Sequence, residues 1–294
     1  MTRALCARKI AFTRMPGILA MRGQAKAVIG LSVNTEPMRA LPRQDAPIGV
    51  FDSGVGGISV LRELRAMLPE EDFIYFGDSA NAPYGEKSGD EIRSLAWHVV
   101  ETLLKSGIKA LVIACNTATA AAAPLIRERL DMPVVAMEPA LKPASKCAHG
   151  GKVLVMATPL TLSLDKFQSL MERYGQDALP MPCPGLMELV ERGIVDGSEL
   201  DEYIADMRAR IGDEHVDAVV LGCTHYVFLR AAIERAFPQA QVVDGNEGTA
   251  RQLARLLEQR GLKRAAEGRR GSVQLMSSGG EEDIALMRRL LGEG

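Results

Sequence analysis

The sequence predicts an α/β protein made of two similar parallel-sheet domains, related by a pseudo-twofold axis, with a ligand cleft between them. Three observations lead there. From Pro47 onward, short apolar runs alternate with stretches of helical periodicity, the order expected of βαβ units. The apolar runs are nearly continuous, as strands are when helices cover both faces of their sheet. The pattern also restarts: "LVIACNTATAAA" (111–122) and "AVVLGCTHYVFL" (218–229) each lead an apolar run into a cysteine and then small polar residues. Aligning "VFDS" (50–53) with "VMAT" (155–158) gives nearly the offset that aligns Cys115 with Cys223, so a weak repeat shows in two independent places.

The elements follow in order. "PIGVF" (47–51) reads as a strand, "SVLRELRAML" (59–68) as a helix and "DFIYFGD" (72–78) as a second strand. "APYGEKS" (82–88) is a connector with a turn at Pro83-Tyr84-Gly85. "DEIRSLAWHVVETLLKSG" (90–107) is an amphipathic helix closed by Gly107. "ALVIAC" (110–115) is a strand, and "TATAAAAPLIRERL" (117–130) is a helix that Pro124 is expected to bend or restart. "PVVAM" (133–137) completes the first series. The second series has strands at "KVLVMAT" (152–158), "AVVLGC" (218–223) and "QVVDG" (241–245). Its helices are "LTLSLDKFQSLMERYG" (160–175), a short one within "PCPGLMELVERG" (182–193), "ELDEYIADMRARIG" (199–212) and "EGTARQLARLLEQRG" (247–261).

Composition narrows the function. The 294 residues carry a net charge of −2, which argues against a nucleic-acid or anionic-membrane surface. Aromatics make up 4%, too few for base-stacking platforms, and no apolar run reaches membrane-spanning length. The five cysteines are odd in number and widely spread, which points to a reducing cytoplasm. Residues 1–44 stand apart. No acid precedes Glu36, whereas Arg3, Arg8, Lys9, Arg14, Arg22 and Lys26 do. This extension reads as a disordered tail or translation from an upstream start, with a transit peptide as the competing reading.

Chemistry is expected at the carboxyl ends of the strands, where open parallel sheets bind ligands. Asp52-Ser53, Cys115, Thr158 and Cys223 all fall at such ends. "DSGVGG" (52–57) has its glycines at positions unlike a dinucleotide loop, and Asp52 at its mouth would repel a phosphate. A turn that offers backbone N–H groups, with Asp52 beside a proton-transfer site, fits better. Cys115 precedes Asn116, Thr117 and a helix; short polar donors and a helix N-terminus favour a carboxylate, and the same field is expected to lower the thiol's pKa. Cys223 and His225 sit two apart, so an extended chain would face both into one cleft. Zinc held by Cys115, Cys223 and His225 is the competing sharp reading, though no Cys-x-x-Cys pair supports it. Tyr84 is read as part of a lid, and Cys147 and Cys183 as structural. Two thiols facing each other suit an acid and a base on opposite faces of one carbon, hence stereoinversion; a hydrolase would need one.

"FDSGVGG" (51–57), "NAPYGEKS" (81–88), "ACNTATA" (114–120), "CPGLMELVE" (183–191) and "GCTHY" (222–226), in this order and spacing, resemble the signature set of bacterial glutamate racemases, over about Pro47 to Gly261. The resemblance implies two flavodoxin-like domains, 45–139 plus 245–294 and 140–244. It also implies interconversion of L- and D-glutamate without pyridoxal phosphate or metal, supplying D-glutamate for peptidoglycan. Cys115 would act on D-glutamate assisted by Asp52, and Cys223 on L-glutamate assisted by His225 and Glu191. Asp52, Ser53, Tyr84, Gly85, Asn116, Thr117, Thr158, Thr161, Thr224 and His225 match substrate-contact positions. A second copy of the chain and a cell-wall precursor acting as activator are the further partners to test. An aspartate or hydantoin racemase, or a metal-binding module without turnover, are the rival readings.

Overall fold

The computed structural model describes residues 43–265 and 268–293. Most of the basic extension (1–42), with Cys6, therefore lies outside the described residues. The strands are β1 (Ile48–Asp52), β2 (Phe73–Gly77), β3 (Ala110–Ile113), β4 (Val134–Ala136), β5 (Lys152–Ala157), β6 (Ala178–Pro182), β7 (Val216–Leu221), β8 (Gln241–Val243) and β9 (Val273–Ser277). They form two all-parallel sheets, ordered β4-β3-β1-β2-β9 and β8-β7-β5-β6. Strand by strand, the second order repeats the first, so the restart in the sequence is also a restart in topology. Strand β9 is the exception: it returns the chain to the first sheet and pairs with β2 from Phe73↔Val273 to Gly77↔Ser277.

Both faces of the first sheet are covered, as its apolar runs require. Val50, Tyr75 and Val112 pack in one cluster with Ile58 and Leu61, and Phe51, Ile74 and Ile113 in another with Ile92 and Val100. The helix Gly89–Lys105 opens with a capping box, in which the Ser88 hydroxyl accepts from the Glu91 N–H and the Glu91 carboxylate accepts from the Ser88 N–H.

The structure departs from the sequence reading in identifiable places. One helix, Asn116–Arg129, runs through Pro124 without restarting. Losing a helical bond to proline costs about 3 kcal/mol, but Ala122, Ala123 and Ile126 are fully buried beside Phe51 and Ile113, and this packing outweighs it. The single helix expected over 160–175 is two, Pro159–Ser163 and Asp165–Tyr174, divided at Leu164, whose backbone is extended. Strand β6, "ALPMP", holds two prolines and escaped the sequence reading; it is an edge strand, where proline is tolerated. Strand β9 and the helices Leu141–Ala144, Arg230–Ala236 and Glu281–Leu291 also went unpredicted.

The amino ends of β2 and β3 are tied together by a buried ion pair. Lys109 Nζ lies 2.5 Å from Glu71 Oε2, with side chains 0% and 1% exposed, and also donates to the Gln44 carbonyl at 2.5 Å. Glu71 Oε1 accepts from the Arg264 N–H at 2.8 Å, so the returning C-terminal stretch joins the same network. The opposite, carboxyl ends are left for chemistry.

Candidate active site

The first half of the site sits at the ends of β1 and β3. Asp52 is completely buried; its Oδ1 accepts the Gly54 N–H at 3.1 Å and its Oδ2 accepts the Thr224 hydroxyl at 3.1 Å. Burial pushes its carboxyl above the ordinary aspartate range, against the pull of His225 and of the Gly54 N–H. Cys115 caps the helix Asn116–Arg129: its Sγ accepts the Ala118 N–H at 3.4 Å and lies 3.5 Å from Ser53 Oγ. The helix terminus was expected to lower this thiol's pKa. Instead burial, helped by the Asp52 charge, pushes it up to about 12; the Ala118 N–H and Ser53 pull it down by less. Desolvation outweighs the helix field because Cys115 is only 6% exposed.

The second half sits at the end of β7. Residues Thr224–Leu229 form a 3-10 helix, not the extended chain that would align Cys223 with His225. The turn brings them together all the same, with Cys223 Sγ 3.6 Å from His225 Nδ1. His225 Nδ1 also lies 3.4 Å from Thr224 Oγ1, and its Nε2 lies 2.6 Å from Glu191 Oε1. Burial opposes a charge on His225, but the contacts with Cys223 and Glu191 outweigh it and hold its pKa well above the usual range. Burial also opposes the Glu191 charge, yet His225 and the Val55 N–H, 2.9 Å from Oε1, hold its pKa low. An ionised carboxylate only accepts, so Nε2 carries the proton in that bond.

The glycine loop makes this arrangement possible. A Cβ at Gly54 would collide with Glu191 Oε1, and one at Gly56 with His225 Nδ1 and Thr224 Oγ1. Glycine is required here for close approach to the other half of the site, not for a phosphate.

Both thiols line one narrow cavity, walled by Ser53, Gly85, Cys115, Asn116, Thr117, Thr158, Thr161, Met187, Gly222, Cys223, Thr224 and His225. Hydroxyls crowd one side: Thr161 Oγ1 lies 3.1 Å from Thr117 Oγ1 and 2.9 Å from Thr158 Oγ1. The Asn116 amide nitrogen meets Met137 Sδ at 3.5 Å, while its buried Oδ1 has no partner among the described residues. Asp52 and Glu191 stand behind this wall. Tyr84 is also set back; its hydroxyl donates to Asp78 Oδ2 at 2.6 Å, and Asn81 donates to Oδ1 at 2.9 Å. The Asp78 bond fixes the turn that presents Gly85. Asp78, Met187 and Tyr75, whose hydroxyl donates to the Gly54 carbonyl at 2.7 Å, were not singled out from the sequence. Asp78 closes "FIYFGD" at a strand end, the place that drew attention to Asp52; for Met187 and Tyr75 the sequence holds no comparable signal. Among the described residues, no three His, Cys, Asp or Glu side chains group as a metal centre would need.

A sequence model of the family described as Asp/Glu/hydantoin racemase matches residues 48–253, which include both half-sites. The chain belongs to that family. Among its relatives, the glutamate racemase of Clostridium acetobutylicum is 49% identical over 249 residues, covering 83% of this chain and 97% of the relative. The crystal structure of the Thermus thermophilus glutamate racemase, solved with β-chloro-D-alanine, is 40% identical with a TM-score of 0.71, covering 84% of this chain and 94% of that one. The Escherichia coli glutamate racemase, solved with L-glutamate and the activator UDP-MurNAc-Ala, is 30% identical with a TM-score of 0.71, covering 83% of this chain and 95% of that one. The family's two-domain fold is the one described above.

Proposed function

We propose that this chain is a glutamate racemase, interconverting L- and D-glutamate by proton transfer between two cysteines, without a bound cofactor, to supply D-glutamate for peptidoglycan. One observation carries the reading: Cys115 and Cys223, at equivalent strand ends of two sheets with the same order, line one cavity. With the substrate Cα between the sulfurs, Cys223 as thiolate takes the α-proton of L-glutamate while Cys115 as thiol returns one to the opposite face. The reverse reaction swaps the roles. Burial keeps Cys115 protonated at neutral pH, which suits it to be the acid in the L-to-D direction. The His225–Glu191 pair stands beside Cys223, where the imidazole can accept or supply a proton. Ser53, Thr117, Thr158, Thr161, Thr224 and backbone N–H groups bind the carboxylates, and the unpartnered Asn116 Oδ1 accepts from the substrate ammonium. Asp52 assists Cys115, and Tyr84 and Gly85 shape the loop that covers the ligand.

Further parts of the reading are domains divided at 139/140 and 244/245, a cytoplasmic location and activation by a cell-wall precursor. Strands β1–β4 and β9 fall in the first domain and β5–β8 in the second. The four described cysteines are free, and no helix among the described residues can cross a membrane. Rates with and without UDP-MurNAc-Ala, the E. coli relative's activator, test the last part; sedimentation tests for a homodimer. The central experiment is incubation with L-glutamate in D₂O without added cofactor, beside Cys115→Ser and Cys223→Ser. Optical activity lost as deuterium enters Cα, and blocked by either change, is the expected result. Exchange with aspartate but not glutamate would move the substrate, and no exchange with any amino acid would overturn the reading.

A further inference from the structure

A two-base racemase has a difficulty that its substrate does not solve. After one L-to-D turnover Cys223 holds the proton and Cys115 has lost it. The free enzyme must move a proton back across the cavity before it can repeat the same direction. We infer that the Thr224 hydroxyl is the link that carries this return proton, joining the His225 side of the site to the Asp52 side. The inference rests on the two-cysteine reading above.

The geometry is specific. Thr224 Oγ1 donates to Asp52 Oδ2 at 3.1 Å, a contact between residues 172 apart in sequence that crosses from β7's end to β1's end. With its hydrogen committed there, its lone pairs face His225 Nδ1, 3.4 Å away, and Nδ1 is also 3.6 Å from Cys223 Sγ. The chain Cys223 Sγ, His225 Nδ1, Thr224 Oγ1, Asp52 Oδ2 is therefore continuous. Thr224, His225 and Asp52 are all at least nine-tenths buried, so a protein hydroxyl stands where bulk water would otherwise shuttle. The segment is also pinned, because the Thr224 carbonyl accepts from the Ser59 hydroxyl at 3.1 Å.

The proton count closes. His225 passes its Nδ1 proton to Thr224 Oγ1 as Thr224 passes its own to Asp52 Oδ2. The Cys223 thiol then reprotonates Nδ1, becoming thiolate. Asp52, the chain neighbour of Ser53, whose hydroxyl lies 3.5 Å from the Cys115 sulfur, gives up the proton that restores the Cys115 thiol. His225 and Asp52 end as they began, and one proton has crossed from Cys223 to Cys115.

The test is a tracer-perturbation experiment. Equal amounts of ¹⁴C-labelled L- and D-glutamate are equilibrated with enzyme, and a large excess of unlabelled L-glutamate is added. If the free enzyme resets slowly, the label is driven transiently away from equality, and the forward rate falls at high substrate concentration. The wild type and Thr224→Ser are expected to show little displacement. In Thr224→Val the substrate concentration at which the rate turns over is expected to fall roughly tenfold, an effect below that of removing a positioned catalytic acid or base. A rise in KM alone would move the turnover concentration up, not down. Equal displacement in wild type and a racemising Thr224→Val would overturn the inference. So would a large displacement in the wild type, which decides the matter even if Thr224→Val does not fold. Absence of racemisation by the wild type would instead overturn the parent reading.

Discussion

Replacing Glu191 with Gln tests how the second half-site is charged. Glutamine has nearly the same shape and keeps an acceptor for the Val55 N–H and the His225 Nε2–H, so only the carboxylate charge is lost. Hydrogen bonds to charged groups contribute about 1.5–3 kcal/mol and neutral ones about 0.5–1.5 kcal/mol. The His225 contact should therefore weaken by about 1–2 kcal/mol, a factor of about 5–30. His225 is 1% exposed and the Glu191 side chain 20%, so solvent screens this loss little. L- and D-glutamate have equal free energies, so kcat/KM in the two directions must fall by the same factor. The asymmetry appears in the primary isotope effect. With α-deuterated L-glutamate, removal of the proton by Cys223 becomes more rate-limiting and the effect on kcat/KM grows. With α-deuterated D-glutamate it shrinks. Racemisation followed by circular dichroism with all four substrates supplies the data. Equal isotope effects before and after the change, or a larger one with D-glutamate, would refute the assignment of His225 and Glu191 to Cys223.

Three other outcomes are expected. Gly54→Ala places a methyl group against Glu191 Oε1, a flexible carboxylate that can swing away at little cost to the fold. Activity should fall at least as far as in Glu191→Gln, with an unchanged far-ultraviolet circular dichroism spectrum; full activity would show the close approach to be irrelevant. Thermal stability should decline from about pH 9 towards 12. The unfolded Cys115 and Cys183 thiols ionise near 9.0, while burial holds the folded ones to about 12, so over this window the unfolded chain binds fewer protons. The slope is about 1.4 kcal/mol per pH unit for each thiol, and Cys115→Ser should flatten its share; an unchanged slope would contradict burial of that group. Lys109→Met leaves Glu71 buried without its cation and should cost about 3–5 kcal/mol in urea unfolding. The double variant with Glu71→Leu should recover much of this loss, and recovery of none would show that the pair itself is not the cause.

The sequence by itself determined the class of the fold and the ends of its strands. Short unbroken apolar runs such as "ALVIAC" fit strands covered on both faces, and their alternation with helices points to parallel sheets. It also marked the chemistry, since a cysteine followed by small polar residues at a strand's carboxyl end, found twice, is a local pattern. Tertiary structure decided what depends on distant partners. Strand β9 exists because β2 offers it an edge 200 residues away, and β6 tolerates its prolines because it is an edge strand among the described residues. The direction of the Cys115 shift was decided there too: the helix terminus is written in the sequence, but the burial that overrides it comes from residues of the whole fold. Glu191 meets Val55, and Thr224 meets Asp52, only because two sheets face each other, and no local propensity encodes a contact between domains.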